Sequence, residues 1–117
     1  MAYSRVTPRA RTGTTGINVE MDVEPESGVW INPPDRVAAI TIAVHIPAGE
    51  SASFTIETSC NLPETIGEDG TGGYWDNVYG AGVTLTEDTV VMIANAVTGI
   101  RVNCLTAEST INVAFCG

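Results

Sequence analysis

Apolar and polar residues alternate with a period of two along most of the chain. The clearest segments are 17–23, 38–46 and 52–57, in which every second residue is apolar. Successive side chains of a β-strand point to opposite faces, so this pattern is typical of strands with one buried face. Shorter or less regular segments predict further strands at 29–31, 83–86, 89–96, 99–105 and 110–116, and a short strand is considered at 78–79. No stretch of useful length has the period of a helix.

The spacing of these segments predicts the fold class. Seven to nine short strands at intervals of about ten residues are typical of an antiparallel β-sandwich or barrel. Two sheets allow each alternating strand to bury one face, and no helix is predicted that would cover a single sheet. We therefore predict an all-β protein, a single antiparallel β-sandwich of immunoglobulin-like or jelly-roll-like type, formed by residues 17–117.

The last two predicted strands have matching apolar faces. With a turn centred on Ala107 and Glu108, a hairpin would align one set of apolar residues with another (Ile100, Val102 and Cys104 with Ile111, Val113 and Phe115). A shift of one residue would destroy this match. In this register Cys116 lies opposite Gly99, too far from Cys104 for a disulfide. Three cysteines in a chain large enough to fold without a disulfide are expected to be free thiols in a reducing compartment, and one disulfide with one free thiol is the alternative. The register disfavours a bond between Cys104 and Cys116 but leaves the state of Cys60 open.

Residues 1–16 differ from the rest of the chain in charge and pattern. They contain three arginines and no acid, a charge of +3, whereas residues 17–117 contain 14 acids and two arginines, a charge of −12. The first segment is rich in threonine and glycine and has no apolar periodicity. We predict that it is a flexible N-terminal arm attached to an acidic body.

Composition narrows the classes of function. The chain has 117 residues, 44% of them hydrophobic and 16% charged, which suits one folded domain and excludes intrinsic disorder. A net charge of −9 argues against nucleic acid or an anionic membrane as the main partner. No apolar run is long enough for a transmembrane helix or a signal peptide.

The sequence offers little that would support catalysis or a cofactor. His45 is the one histidine, and nothing near it in the sequence indicates a nucleophilic pair with Cys60. No spacing typical of zinc ligands occurs, and the acidic loop at 67–70 does not match a calcium-binding loop. We predict no enzyme activity, no metal and no cofactor.

A long glycine-rich segment, residues 61–82, contains three aromatic side chains, Tyr74, Trp75 and Tyr79. Loops of this length are often functional or packed on themselves. Two interpretations stay open: the aromatic residues form a ligand-binding surface for sugars, or they pack the loop onto the sandwich.

Several segments together resemble a known group of proteins. In order they are IPAGESASFTIETS, GYWDNV, VTLT, TGIRVNC and STINV, at 46–59, 73–78, 83–86, 98–104 and 109–113. Over residues 37–116 the chain resembles small β-sandwich structural proteins of tailed bacteriophages. These are capsid decoration (cement) proteins and head-fibre or tail accessory modules.

The resemblance implies a virion structural protein, made in the host cytoplasm and located on the capsid exterior, where it binds and stabilises the assembled head. The implied partners are the major capsid protein and further copies of the chain, as a trimer or dimer. Arg5, Arg9 and Arg11 are the candidate contacts with capsid carboxylates, because arginine forms bidentate pairs with them. The alternatives are a carbohydrate- or surface-binding module that uses the 61–82 loop, and a tail or fibre accessory protein.

One predicted strand face is free of acidic side chains. On the strand at 38–46 it comprises Ala39, Thr41, Ala43 and His45, opposite the isoleucines. The sequence allows two roles for this face: a contact between copies in an oligomer, or the inner face of a second sheet.

Overall fold

The computed structural model describes residues 3–5, 18–33, 39–94 and 97–117 of the chain. These residues form nine strands and one short helix. In chain order the elements are β1 Tyr3–Arg5, β2 Asn18–Val23, β3 Ser27–Ile31, β4 Ile40–His45, β5 Ala52–Ser59, α1 Pro63–Ile66, β6 Asp76–Asn77, β7 Thr89–Ile93, β8 Gly99–Ala107 and β9 Ile111–Cys116.

The strands form two sheets that pack face to face. One has the strand order β1-β3-β8-β5-β6, and the other has the order β2-β9-β4-β7. Every pairing among the described strands is antiparallel except that of β1 with β3. The predicted all-β sandwich is therefore confirmed.

The core lies between the sheets and follows the alternation of the sequence. On β4 the even-numbered residues Ile40, Ile42 and Val44 are buried, while their odd-numbered neighbours are half-buried or exposed. The same alternation holds along β9 and along β5 as far as Glu57. Two phenylalanines contribute the largest side chains, Phe54 from one sheet and Phe115 from the other, and both are fully buried. One continuous apolar cluster thus joins the sheets.

The predicted hairpin of the last two strands is wrong, although its buried face is right. All six apolar residues of the predicted match are buried. However, β8 pairs with β3 and β5, whereas β9 pairs with β2 and β4 in the other sheet. The two apolar faces meet across the core and not side by side. Alternation identifies the buried face of a strand but not the sheet to which the strand belongs.

Two smaller strand predictions also need correction. Residues 83–86 do not form a strand; Leu85 makes a single bridge to Phe54, with backbone hydrogen bonds of 2.9 and 3.0 Å. The strand considered near Val78 lies slightly earlier, as β6. The expectation of free thiols is confirmed: Cys104 is buried, Cys116 is half-buried and Cys60 is exposed.

Part of the predicted N-terminal arm pairs with the body. The backbone of Tyr3–Arg5 forms β1, which lies parallel to Gly28–Trp30 of β3 at the edge of the five-stranded sheet. Arg5 is the last residue of this strand. Arg9 and Arg11 lie outside the described residues.

Candidate functional site

An open cleft lies on the outer face of the five-stranded sheet. Its volume is about 540 Å³, within the range of roughly 300–1,000 Å³ typical of small-molecule sites. Outward-facing residues of β5 and β8 form the floor, and the segment from Trp75 to Thr84 forms the wall. The lining residues are Thr55, Glu57, Trp75, Asp76, Asn77, Ala81, Gly82, Val83, Thr84, Arg101, Asn103 and Leu105.

An ion pair crosses the floor of the cleft. Arg101 of β8 is the register partner of Glu57 of β5, and its Nε donates to Glu57 Oε1 at 2.9 Å. Only 13% of the Arg101 side chain and 18% of the Glu57 side chain are exposed. The guanidinium also donates to the carbonyl oxygen of Gly70 at 2.8 Å and lies 4.2 Å from the ring centroid of Trp75. Arg101 therefore connects two strands, the loop and the indole ring.

The loop is held on the sheet by a second small apolar cluster. Trp30 and Ile66 are buried together, and Trp75 packs against them. The indole nitrogen of Trp30 donates to the carbonyl of Glu68 at 3.0 Å, and that of Trp75 donates to the carbonyl of Gly72 at 2.9 Å. Both tryptophans thus satisfy their polar atom while burying their rings.

Two glycines of this loop are required by close packing. Gly70 has a φ of +71°, and a β-carbon there would lie 2.6 Å from Cδ1 of Trp30. A β-carbon on Gly72 would collide with the carbonyl oxygen of Thr65. At position 70 glycine permits both the left-handed backbone and the close approach to Trp30, whereas at position 72 it permits the close approach.

Two polar atoms at the floor of the cleft have no partner. Thr55 and Asn103 are register partners on β5 and β8. Thr55 Oγ1 and Asn103 Oδ1 are both buried, and neither forms a hydrogen bond. Buried polar atoms are almost always paired in folded proteins, so two adjacent exceptions mark this part of the floor as a place where a ligand group would gain hydrogen bonds.

The three predicted loop aromatics do not form one surface at the cleft. Trp75 is half-buried and lines it, whereas Tyr74 is 84% exposed and Tyr79 40% exposed, and neither of them lines it. Trp75 thus packs the loop on the sheet and also contributes to the cleft. Sequence reasoning missed the floor residues, because the outward positions of β5 and β8 meet only after the strand order is known.

The outer face of the four-stranded sheet is largely apolar where β9, β4 and β7 meet. Thr41 pairs with Met92 on one side and Cys116 on the other, and Ala43 pairs with Val90 and Ala114. Val90 is 67% exposed and Met92 63% exposed. We call this surface the apolar outer face; its members are Thr41, Ala43, Val90, Met92, Ala114 and Cys116.

The structure decides between the two roles considered for the predicted β4 face. Ile40, Ile42 and Val44 point into the core, so Thr41, Ala43 and His45 lie on the outside. Ala39, just before the strand, is half-buried. The face is therefore not the inner face of a sheet, and a contact between copies stays a prediction.

His45, at the end of β4, forms an exposed pair with Asp88. Its Nδ1 lies 3.2 Å from Asp88 Oδ2, and the other carboxylate oxygen accepts the backbone N–H of Ile46 at 2.8 Å. The backbone hydrogen bond from Ile46, followed by that from His45, lowers the pKa of Asp88. These contacts fix the segment before β7 against the end of β4.

The described residues contain no group of three or more histidine, cysteine or acidic side chains placed to hold a metal ion. In the acidic loop, Asp69 accepts the backbone N–H of Thr71 at 3.2 Å and its hydroxyl at 2.8 Å. These two hydrogen bonds lower the pKa of Asp69. A membrane-spanning helix of sufficient length and apolarity is likewise not found in the described part of the chain.

Comparison with known proteins assigns the chain to no family. No family model matches it, and the comparisons with curated proteins and with solved structures give no significant match either.

Proposed function

We propose that the protein is a non-catalytic virion structural protein, a capsid decoration protein that binds the assembled head and stabilises it. The observation that supports this most is the apolar outer face. On edge strand β7 the large apolar side chains of Val90 and Met92 are exposed to water. They lie beside the half-buried, uncharged residues Thr41 and Ala43 of β4. Contiguous exposed apolar surface of this kind is typical of protein contacts.

The apolar outer face favours contact with a second copy of the chain. At the far edge of the same outer surface, edge strand β2 carries Glu20, beside Ala114, and Asp22, beside Asn112, and these acids discourage association there. Strand β7 has no charged residue from Thr89 to Ile93. Association through β7 and β4 would bury Val90 and Met92 while keeping the acidic edges apart.

Stabilisation of a shell follows from selective binding to its assembled form. A protein that binds the lattice but not free capsid subunits shifts the equilibrium towards the lattice. An oligomer that contacts several subunits at once gains avidity without one strong contact. In this proposal Arg5, Arg9 and Arg11 supply positive charge towards capsid carboxylates, while the acidic body keeps the copies soluble.

The direct test is quantitative mass spectrometry of particles purified from the lysate in which the protein is made. Hundreds of copies per particle would support a capsid role. A few copies per particle would indicate that the protein belongs to the tail or to a fibre and not to the capsid surface. Complete absence from the particles would overturn the proposal.

We expect Ala43→Glu to weaken self-association by at least about tenfold, because it places a charge at the centre of an apolar contact. Ala43 lies between Val90 and Ala114, so the new carboxylate would be desolvated in the interface. Sedimentation equilibrium measures the association, and circular dichroism checks the fold. Ala48→Glu, in the exposed turn before β5, makes the same charge change elsewhere and should associate like the wild type. If Ala43→Glu changes neither association nor stability, the face is simply exposed.

We expect the double substitution Arg9→Glu and Arg11→Glu to weaken binding to purified capsids by at least about tenfold, because it turns attraction into repulsion. Co-sedimentation with capsids at increasing salt measures the effect. The matched control is Arg9→Lys with Arg11→Lys, which keeps the charge but loses bidentate geometry and should bind with intermediate affinity. If the glutamate variant binds capsids as tightly as the wild type, Arg9 and Arg11 do not contribute to capsid binding.

A further inference from the structure

We infer that the cleft beside Trp75 binds a neutral saccharide. The cleft lies on the five-stranded sheet, on the side of the sandwich opposite the apolar outer face. A ligand there would leave the proposed contacts between copies free. The inference does not depend on capsid decoration, and the two can fail separately.

The lining of the cleft combines apolar and hydrogen-bonding groups. Trp75, Val83 and Leu105 offer apolar surface, while Thr55, Asn103 and other polar side chains offer donors and acceptors. A sugar ring presents the same combination, with C–H groups on its faces and hydroxyls around its edge. Sites with a few placed polar groups on an apolar wall are typical for ligands of this size.

Charge argues for a neutral ligand. The positive charge of Arg101 is already opposed by Glu57 at 2.9 Å, and Asp76 adds a further negative charge to the lining. The chain as a whole carries a charge of −9. A phosphate or carboxylate ligand would therefore enter against an unfavourable potential.

The unpartnered oxygens give the ligand a place to bind. Thr55 Oγ1 and Asn103 Oδ1 are shielded from water in the free protein, so the cost of leaving them without hydrogen bonds is already present. A ligand hydroxyl that reaches them and donates a hydrogen bond removes this cost. Reaching them requires a small shift of the surrounding side chains, and the adjacent wall from Gly80 to Thr84 is exposed.

The test is a titration of the ¹⁵N-labelled full-length protein, followed by NMR, with three neutral probes: maltotriose, cellotriose and N,N′,N″-triacetylchitotriose. We expect at least one of them, at millimolar concentration, to shift the amide signals of Thr55 and Asn103 and the indole signal of Trp75. No shift with any of the three would overturn the inference. Shifts confined to the exposed Tyr74 and Tyr79 would overturn it as well, because they would place binding on the loop surface.

Thr55→Val separates a binding role from a structural one. It removes a hydroxyl that has no partner and keeps the shape of the side chain, so thermal stability should not fall. Affinity for the bound probe should fall about tenfold, the effect of one lost hydrogen bond. Thr41→Val, on the other sheet, is the matched control and should bind the probe like the wild type. If Thr55→Val binds as tightly as the wild type, the inference is wrong.

Discussion

Replacing Arg101 with methionine is expected to lower the free energy of unfolding by about 2–3 kcal/mol. This is less than the roughly 3–5 kcal/mol typical of removing one partner from a fully buried ion pair, because both side chains of this pair keep some exposure to water. The substitution leaves the Glu57 carboxylate without its arginine in a place where little of it is exposed. It also removes the hydrogen bond to the Gly70 carbonyl and the cation over the Trp75 ring. Urea denaturation measures the change in unfolding free energy.

The double variant Arg101→Met with Glu57→Leu is the control for the Arg101 prediction. Because both charges are absent, much of the lost stability should return, although the contacts of Arg101 with the loop are still missing. If Arg101→Met alone falls within about 0.5 kcal/mol of the wild type, the pair is solvated well enough to contribute little. Trp75 fluorescence should change in either variant, since both remove the guanidinium beside its ring.

Phe54→Ala is expected to cost about 3–5 kcal/mol, the usual effect of deleting a buried aromatic ring. Domains of this size are stable by about 5–15 kcal/mol in total, so the variant should be close to unfolding at moderate temperature. Calorimetry and urea denaturation would measure the loss.

The matched variant for Phe54→Ala is Phe115→Ala, which removes the same ring from the opposite sheet. Both phenylalanines are fully buried in one apolar cluster, so each variant should unfold in a single transition with a similar loss. Tyr74→Ala, at an 84% exposed site, should change stability by less than about 0.5 kcal/mol. Two separate transitions in either phenylalanine variant would show that the sheets do not share one cooperative core.

The fold class could be predicted from the sequence because each strand shows its buried face in the alternation of its own residues. The alternation of apolar and polar residues around Ile42 and around Val113 predicts which side of each strand is buried. Both residues are fully buried in the structure, as predicted. The pairing of strands depends on contacts between distant segments, and the sequence has no comparable signal for them. This is why β8 and β9 were predicted as a hairpin although they belong to different sheets.

The candidate sites could be predicted from the sequence only in part, because they too depend on the pairing of distant strands. The uncharged face of β4 could be recognised from residues close together in the sequence. Its extension by Val90 and Met92 depends on the pairing of β4 with β7. The cleft depends on a further long-range pairing, which brings Thr55 opposite Asn103 and Glu57 opposite Arg101. Trp75 was recognised, but as one of three loop aromatics and not as the wall of a cleft.

The position of β9 in the four-stranded sheet determines when that sheet can form during synthesis of the chain. This strand lies between β2 and β4, so β2 cannot join the four-stranded sheet until residues 111–116 have been synthesised. Few consecutive strands pair with each other, and such non-local topologies fold slowly, on the order of milliseconds to seconds. During translation β2, β4 and β7 therefore emerge with open edges and exposed apolar faces, the condition in which nascent chains aggregate. Strand β7, TVVMI, is one of the segments on which a molecular chaperone would act before β9 is synthesised.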